Sequence, residues 1–191
     1  MTTVYFVRHA EPNYNNHDDM LRELTAKGLE DRKLVTRFLA DKNVNVVLSS
    51  PFKRSIDTVR DFADSKNLEI DIVEDFRERR IDSVWIEDFN SFCKKQWDDF
   101  SYKLSDGESL AEVQERNIVA LNKVLKEHAG KTIVVGSHGT ALSTIVNYYD
   151  NSFGYAEFEM IRGLMPWVVE FRFDGMKCVG IKQYNLFEIY G

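Results

Sequence analysis

Residues Val4 to Glu11 read VYFVRHAE. Four apolar side chains in succession predict a short buried strand, and the run stops on two nitrogen-rich side chains, Arg8 and His9. Working outward, the polar loop EPNYNNHDDML leads into a helical pattern from Thr25, a good N-cap, through Leu34, Val35, Phe38 and Leu39 to about Asp41. VNVVLSS reads as a second buried strand. Ser50 and Pro51 then stand where an N-cap and first helical residue belong, ahead of a face made by Phe52, Ile56, Val59 and Ala63.

LEIDIVEDF supplies a third strand, and RERRIDS leads into an aromatic-rich helical excursion at about residues 83–104, VWIEDFNSFCKKQWDDFSY at its heart. A helix from about Glu108 to His128 carries Leu110, Val113, Leu121 and Val124 on one face, with Ser105 and Glu108 at capping-box spacing. TIVVGSHGT repeats the opening design: a buried strand ends on a histidine, and ALSTIVNYY resumes as helix. The chain closes with WVVEFRF, Asp174-Gly175 and MKCVGIKQY, a hairpin through a two-residue turn. This alternation predicts an α/β fold: a three-layer αβα sandwich over residues 1–191, one domain, with a mostly parallel central sheet that the final hairpin makes mixed.

Composition narrows the function classes. A length of 191 residues, 43% of them hydrophobic, suits one well-buried domain, and a net charge of -6 disfavours a general nucleic-acid surface. Any anion must therefore be held by a local cluster of cations. Two distant cysteines, Cys93 and Cys178, form no disulfide framework, and four scattered histidines give no metal-ligand spacing. The opening MTTVYF lacks a basic region with a long apolar core, and no apolar run reaches membrane-spanning length, so a reduced, cytoplasmic setting with no membrane partner is expected.

Ligands of open α/β sheets gather at the carboxyl ends of the strands. Arg8 and His9 follow strand one, Arg54 lies just after strand two, Glu78 after strand three and His138 after strand four, so all five can face one crevice. A neutral imidazole can attack phosphorus, which makes His9 the candidate nucleophile. Two guanidinium groups, Arg8 and Arg54, with a helix amino terminus, can neutralise phosphoryl oxygens without a metal ion. Departure of an alkoxide requires an acid: Glu78 is the first candidate and Asp82 the reserve.

VRHAE, SSPFKRSIDT, FRERR, DGESL and VVGSHGTA, in this order over residues 4 to about 145, resemble the histidine phosphatase superfamily, also called phosphoglycerate-mutase-like. The resemblance implies phosphatase or phosphotransfer activity through a phosphohistidine at His9, with no metal and no cofactor. It implies phosphoryl binding by Arg8, Arg54 and His138, a phosphate contact from Asn15, and Glu78 as proton donor two residues after Phe76. LTAKG, Leu24 to Gly28, fits the family's start of the first helix. Three departures stand out: Ala10 for the glycine after the nucleophile, Pro12 for a threonine, and Asp82 for a glycine four residues after the acid. The last leaves the acid open between Glu78 and Asp82.

Blander assignments compete at several positions. Asn15 also suits a turn. Trp85, Phe89, Phe92, Trp97, Phe100 and Tyr102 suit a satellite core under a loop, with one or two at the mouth of the site. Arg79 and Arg80 read as a solvated pair before an anion site, and Glu108 with Ser109 as helix capping. Hydrolysis of a small phosphorylated metabolite is the leading expectation; a cofactor-dependent mutase and a non-catalytic phospholigand-binding module are the alternatives. The mutase branch is typically longer, with a basic insertion, whereas this excursion is aromatic and acidic. The substrate is left open among sugar phosphates, nucleotides, phosphoglycerate derivatives and phosphoproteins, as is homodimer formation.

Overall fold

The computed structural model of the chain describes residues 1–83 and 86–191. Strands β1 (Thr2–Arg8), β2 (Val46–Ser49), β3 (Ile70–Ile72), β4 (Thr132–Ser137), β5 (Trp167–Asp174) and β6 (Lys177–Tyr184) form, among the described residues, one six-stranded sheet ordered β3-β2-β4-β1-β5-β6. β3, β2, β4 and β1 run parallel, and the hairpin β5–β6 adds antiparallel to β1. The expected mixed sheet and three layers are what form.

The opening apolar run is continuous because β1 is covered on both sides. Val4 and Phe6 join Leu48, Ile133, Val135, Val169 and Phe171 in one core layer, under α3 (Phe89–Asp98), α4 (Leu110–Glu127), α5 (Gly139–Tyr149) and α6 (Tyr155–Ile161). Tyr5 and Val7 point the other way, joining Val47, Val134 and Val168 beneath α1 (Ala26–Leu39), α2 (Lys53–Ser65) and α7 (Leu186–Tyr190). The helix after β1 thus lies on one face and the helix after β4 on the other. The crevice between their connections is the topological switch point, where α/β folds bind ligands.

Several local expectations are corrected. α2 starts at Lys53, with Phe52 rather than Ser50 at its N-cap, because Ser50 still belongs to the strand-end turn. The capping box of α4 is Ser109 with Glu112, not Ser105 with Glu108. The third strand is three residues long, and a 3-10 turn, Glu74–Phe76, takes the rest of its apolar run. The hairpin turns on Gly175 and Met176, one position later than read. In the excursion, Phe92 and Trp97 of α3 are continuous with the main core, and Trp97 packs on Phe100, Phe153 and Phe158, so the described residues form no separate satellite core there. Trp85 lies outside the described residues. No described helix is long and apolar enough to cross a membrane.

Candidate active site

Register builds the site. β1 and β4 pair Arg8 with Ser137, and β2 and β4 pair Ser49 with Gly136, so His9, Ser50 and His138 leave three adjacent strand ends side by side. The ring centroids of His9 and His138 are 5.4 Å apart. Both strand-end segments are pinned: the His9 N–H donates to Ser137 O at 3.1 Å, and the Ala10 N–H to Thr58 Oγ1 at 2.9 Å. Thr58 in turn donates to the Arg54 carbonyl at 2.7 Å, tying β1's end to α2. The LTAKG segment closes from the other side. The Gly28 position abuts the Glu11 backbone so closely that a Cβ would lie 2.2 Å from Glu11 O, while Thr25 Oγ1 donates to Glu11 Oε1 at 2.8 Å.

His9 is 5% exposed, and its Nδ1 lies 2.8 Å from the Ala10 carbonyl oxygen. A carbonyl only accepts, so the proton is assigned to Nδ1 and the lone pair to Nε2. Burial first, then the Arg54 and Arg8 charges, hold the His9 pKa well below the ordinary histidine value, against the opposing pull of the Ala10 bond. The ring is therefore neutral at pH 7. Fully buried His138 is lowered in the same way, by burial, Arg54 and His9 in that order. Its Nε2 is 2.7 Å from Ser50 Oγ. That oxygen also accepts the Phe52 N–H at 3.2 Å, and the buried His138 Nδ1 has no hydrogen-bond partner among the described residues.

Arg8 and Arg54 are 8% and 3% exposed, and burial is the largest cause lowering the pKa of each. Arg8 Nη1 donates to the carbonyls of Ile161, Arg162 and Leu164 at 2.8, 2.9 and 3.1 Å, at the carboxyl end of α6, while its buried Nε has no partner among the described residues. A Cβ at Gly139 would sit 3.0 Å from that Nε, so the guanidinium lies against the amino terminus of α5. Arg54 Nη1 donates to Asp19 O at 2.5 Å and pairs with Asp19 Oδ1 at 3.1 Å. Asp19 sits in the polar loop after β1.

The two carboxylates left open by the sequence are separated by the structure. Glu78 Oε2 accepts the Thr140 N–H and Oε1 the Ala141 N–H, each at 3.0 Å, and Oε1 also takes the Arg79 N–H at 2.8 Å. Glu78 is thus seated on the amino terminus of α5, whose N-cap residue is His138. Asp82 instead accepts from the Ser83 N–H and hydroxyl at 2.7 and 3.4 Å, and Ser83 turns outward to Asp106. Asn15 is exposed in an Asx-type turn, its N–H on Asn13 Oδ1 at 3.1 Å. Five predicted residues, Arg8, His9, Arg54, Glu78 and His138, therefore converge, and Asn15 stands at the rim loop.

Arg79 is not solvated. It is 4% exposed, donates to Gln96 Oε1 at 2.5 Å, and lies against Phe89 and Phe92; Arg80 is exposed. Sequence reasoning missed Ser50 and Asp19. Ser50 occupies the same strand-end position as His9 and His138, which was its available signal; Asp19 had none. Among the described residues no cluster of three or more His, Cys, Asp or Glu could hold a metal ion.

Residues 4–180 match the histidine phosphatase superfamily, branch 1. The chain belongs to that superfamily. Within it, phosphoserine phosphatase 1 of Hydrogenobacter thermophilus is 32% identical over 157 residues, 72% of this chain and 71% of that protein. A probable phosphoglycerate mutase of Enterobacter sp. is 28% identical over 169 residues, 82% of this chain and 79% of its own. The crystal structure of a phosphoserine phosphatase from Entamoeba histolytica, in complex with 3-phosphoglyceric acid, has a TM-score of 0.77 at 21% identity, covering 97% of this chain and 99% of that one. The fold is that of phosphoglycerate-mutase-like phosphatases, and the chain is a phosphatase-type enzyme.

Proposed function

We propose that the chain hydrolyses a small phosphomonoester through a phosphohistidine on His9 Nε2. The observation that carries this is the Nδ1 bond to the Ala10 carbonyl inside a buried, doubly cationic pocket, which leaves a neutral ring with its lone pair on Nε2. In the first step Nε2 attacks phosphorus, the ester P–O bond breaks, and Glu78 as a carboxylic acid protonates the departing alkoxide. In the second, Glu78 as a carboxylate takes a proton from water, the water oxygen attacks phosphorus, and the N–P bond breaks to release phosphate.

Charge building on the phosphoryl oxygens meets the Arg8 and Arg54 guanidinium groups, the His138 ring, whose Nδ1 has no partner among the described residues, and the amino terminus of α5. These groups supply fixed positive potential, so the proposed reaction requires no metal ion. That a relative is a phosphoserine phosphatase, and that 3-phosphoglyceric acid is bound in the structure of another, supports a compact metabolite as the favoured class here. A protein or nucleic-acid substrate has no observation in its favour.

The deciding experiment assays a panel of small phosphomonoesters in chelator, with acid-labile phosphoenzyme trapped in parallel. Wild type is expected to release phosphate and to accumulate label on His9, and His9→Ala to lose about 10⁴-fold or more in kcat. Undiminished turnover by His9→Ala would remove the nucleophile assignment. Isomerisation of phosphoglycerate faster than phosphate release would make the enzyme a mutase, and binding without turnover would make it a ligand-binding module.

A further inference from the structure

The DGESL segment, residues 106–110, is only partly accounted for by helix capping. Ser109 caps α4 and Glu112 completes the box, which leaves Gly107 and Glu108 without a task. Both face the segment that carries Glu78. A Cβ at Gly107 would lie 2.0 Å from the Ile81 carbonyl oxygen, so only glycine lets the two backbones approach. The Glu108 N–H donates to Arg80 O at 2.8 Å, and the Arg80 N–H returns a bond to Glu108 Oε2 at 2.9 Å.

From α4, Arg116 completes the enclosure. Its Nε and Nη2 grip Glu108 Oε1 and Oε2 at 2.8 and 3.0 Å. Nη1 donates to the carbonyls of Asp75 and Arg77 at 2.7 and 2.9 Å, and Nη2 also to the Glu78 carbonyl at 3.2 Å. These bonds use all five guanidinium donors. Burial would raise the Glu108 carboxyl, but the bonds from Arg116 and the Arg80 N–H, with the Arg116 and Arg77 charges, outweigh it and keep the group below the ordinary glutamate value. After the short 3-10 turn, residues 77–81 have no helix or strand ladder of their own, and the Arg77 and Glu78 carbonyls take their bonds from this side chain instead.

We propose that Gly107, Glu108 and Arg116 are a positioning device that fixes the backbone of residues 75–81 and thereby sets where the Glu78 carboxyl meets the leaving oxygen. None of the three touches the substrate. The inference rests on Glu78 being the proton donor. A lysine cannot replace Arg116, because one ammonium group cannot span three carbonyls and a carboxylate in a plane.

The test exploits the leaving group. kcat/KM reports the steps through departure of the alcohol, and nitrophenolate departs without a proton whereas an alkoxide does not. Arg116→Gln and Arg116→Lys are assayed on β-glycerophosphate and p-nitrophenyl phosphate, beside Glu78→Gln as the reference. The expected result is a loss of about 10²-fold on the alkyl ester and less than about threefold on the aryl ester, in the pattern of the reference variant. Equal losses on both esters, or none on the alkyl ester, would overturn the positioning role while leaving Glu78 as the acid. If the reference itself lacks leaving-group dependence, the acid assignment falls and the device falls with it. Should Arg116→Gln not fold, Glu108→Gln, which keeps the shape of the side chain, carries the same comparison.

Discussion

Ser50 shows how much one hydroxyl can carry. It accepts the Phe52 N–H and faces His138 Nε2, so Ser50→Ala strands two buried polar groups at once. Unfolding in urea should show a loss of about 1–3 kcal/mol, and kcat/KM should fall on the order of tenfold because His138 loses the bond that sets its tautomer. A variant as active and as stable as wild type would mean that water replaces the hydroxyl. Asp19 acts in the opposite sense. Its half-exposed carboxylate occupies Arg54, which the proposed mechanism turns to a phosphoryl oxygen, so Asp19→Asn should tighten inhibition by inorganic phosphate by about two- to fivefold. Weaker inhibition would show that Asp19 orients Arg54 rather than competing for it. At this scale the convergence of Arg8, His9, Arg54, Glu78 and His138 was legible because each ends a buried strand or follows one closely. Asp19 was illegible because nothing local ties a polar loop residue to an arginine 35 positions away.

α3 is held by an arrangement that hydropathy does not reveal. Arg79 is buried against Phe89 and Phe92, yet its closest hydrogen-bond acceptor is the neutral Gln96, whose amide also donates to the carbonyls of Tyr102 and Glu108 at 2.9 Å each. Gln96→Leu leaves a buried cation without its acceptor and should cost about 3–5 kcal/mol, read as a shift in the urea midpoint at unchanged slope. A cost below about 1 kcal/mol would mean that water reaches the guanidinium. The charged run FRERR reads as solvated because its partner lies on another element, and that contact is a tertiary one. The same limit explains the other misses. α6 and α7, seven and five residues long, are too short for propensity to specify and exist because packing favours them. The start of α2 was misplaced because a serine before a proline is the ordinary start signal, whereas here the hydroxyl serves the turn and His138. β1 and β4 were legible in full, since an unbroken apolar run has few other places to go.

Across the whole molecule, the two pocket histidines link stability to pH. Their native pKa values are depressed, whereas an unfolded histidine titrates at its ordinary value. As pH falls through that ordinary value the unfolded chain takes up protons that the native chain refuses, so stability is complete above it and declines below, by at most about 1.4 kcal/mol per pH unit for each ring. Urea titrations at pH 7.5 and 5.5 should show the lower stability at 5.5, with a smaller difference in His9→Asn. An equal difference in that variant would assign the effect to other groups. The alternation of strands and helices was enough to place these rings at the carboxyl ends of strands, but not to show what closes the pocket around Arg8. That guanidinium belongs to the first strand, and the carbonyls that hold it come 153 to 156 positions later in the chain. During synthesis His9 and Arg8 leave the ribosome well before the cage around that arginine, which waits for α6 to emerge and dock. The caged arrangement of Arg8 therefore cannot precede the docking of α6, and until then the growing polypeptide carries this cation uncovered.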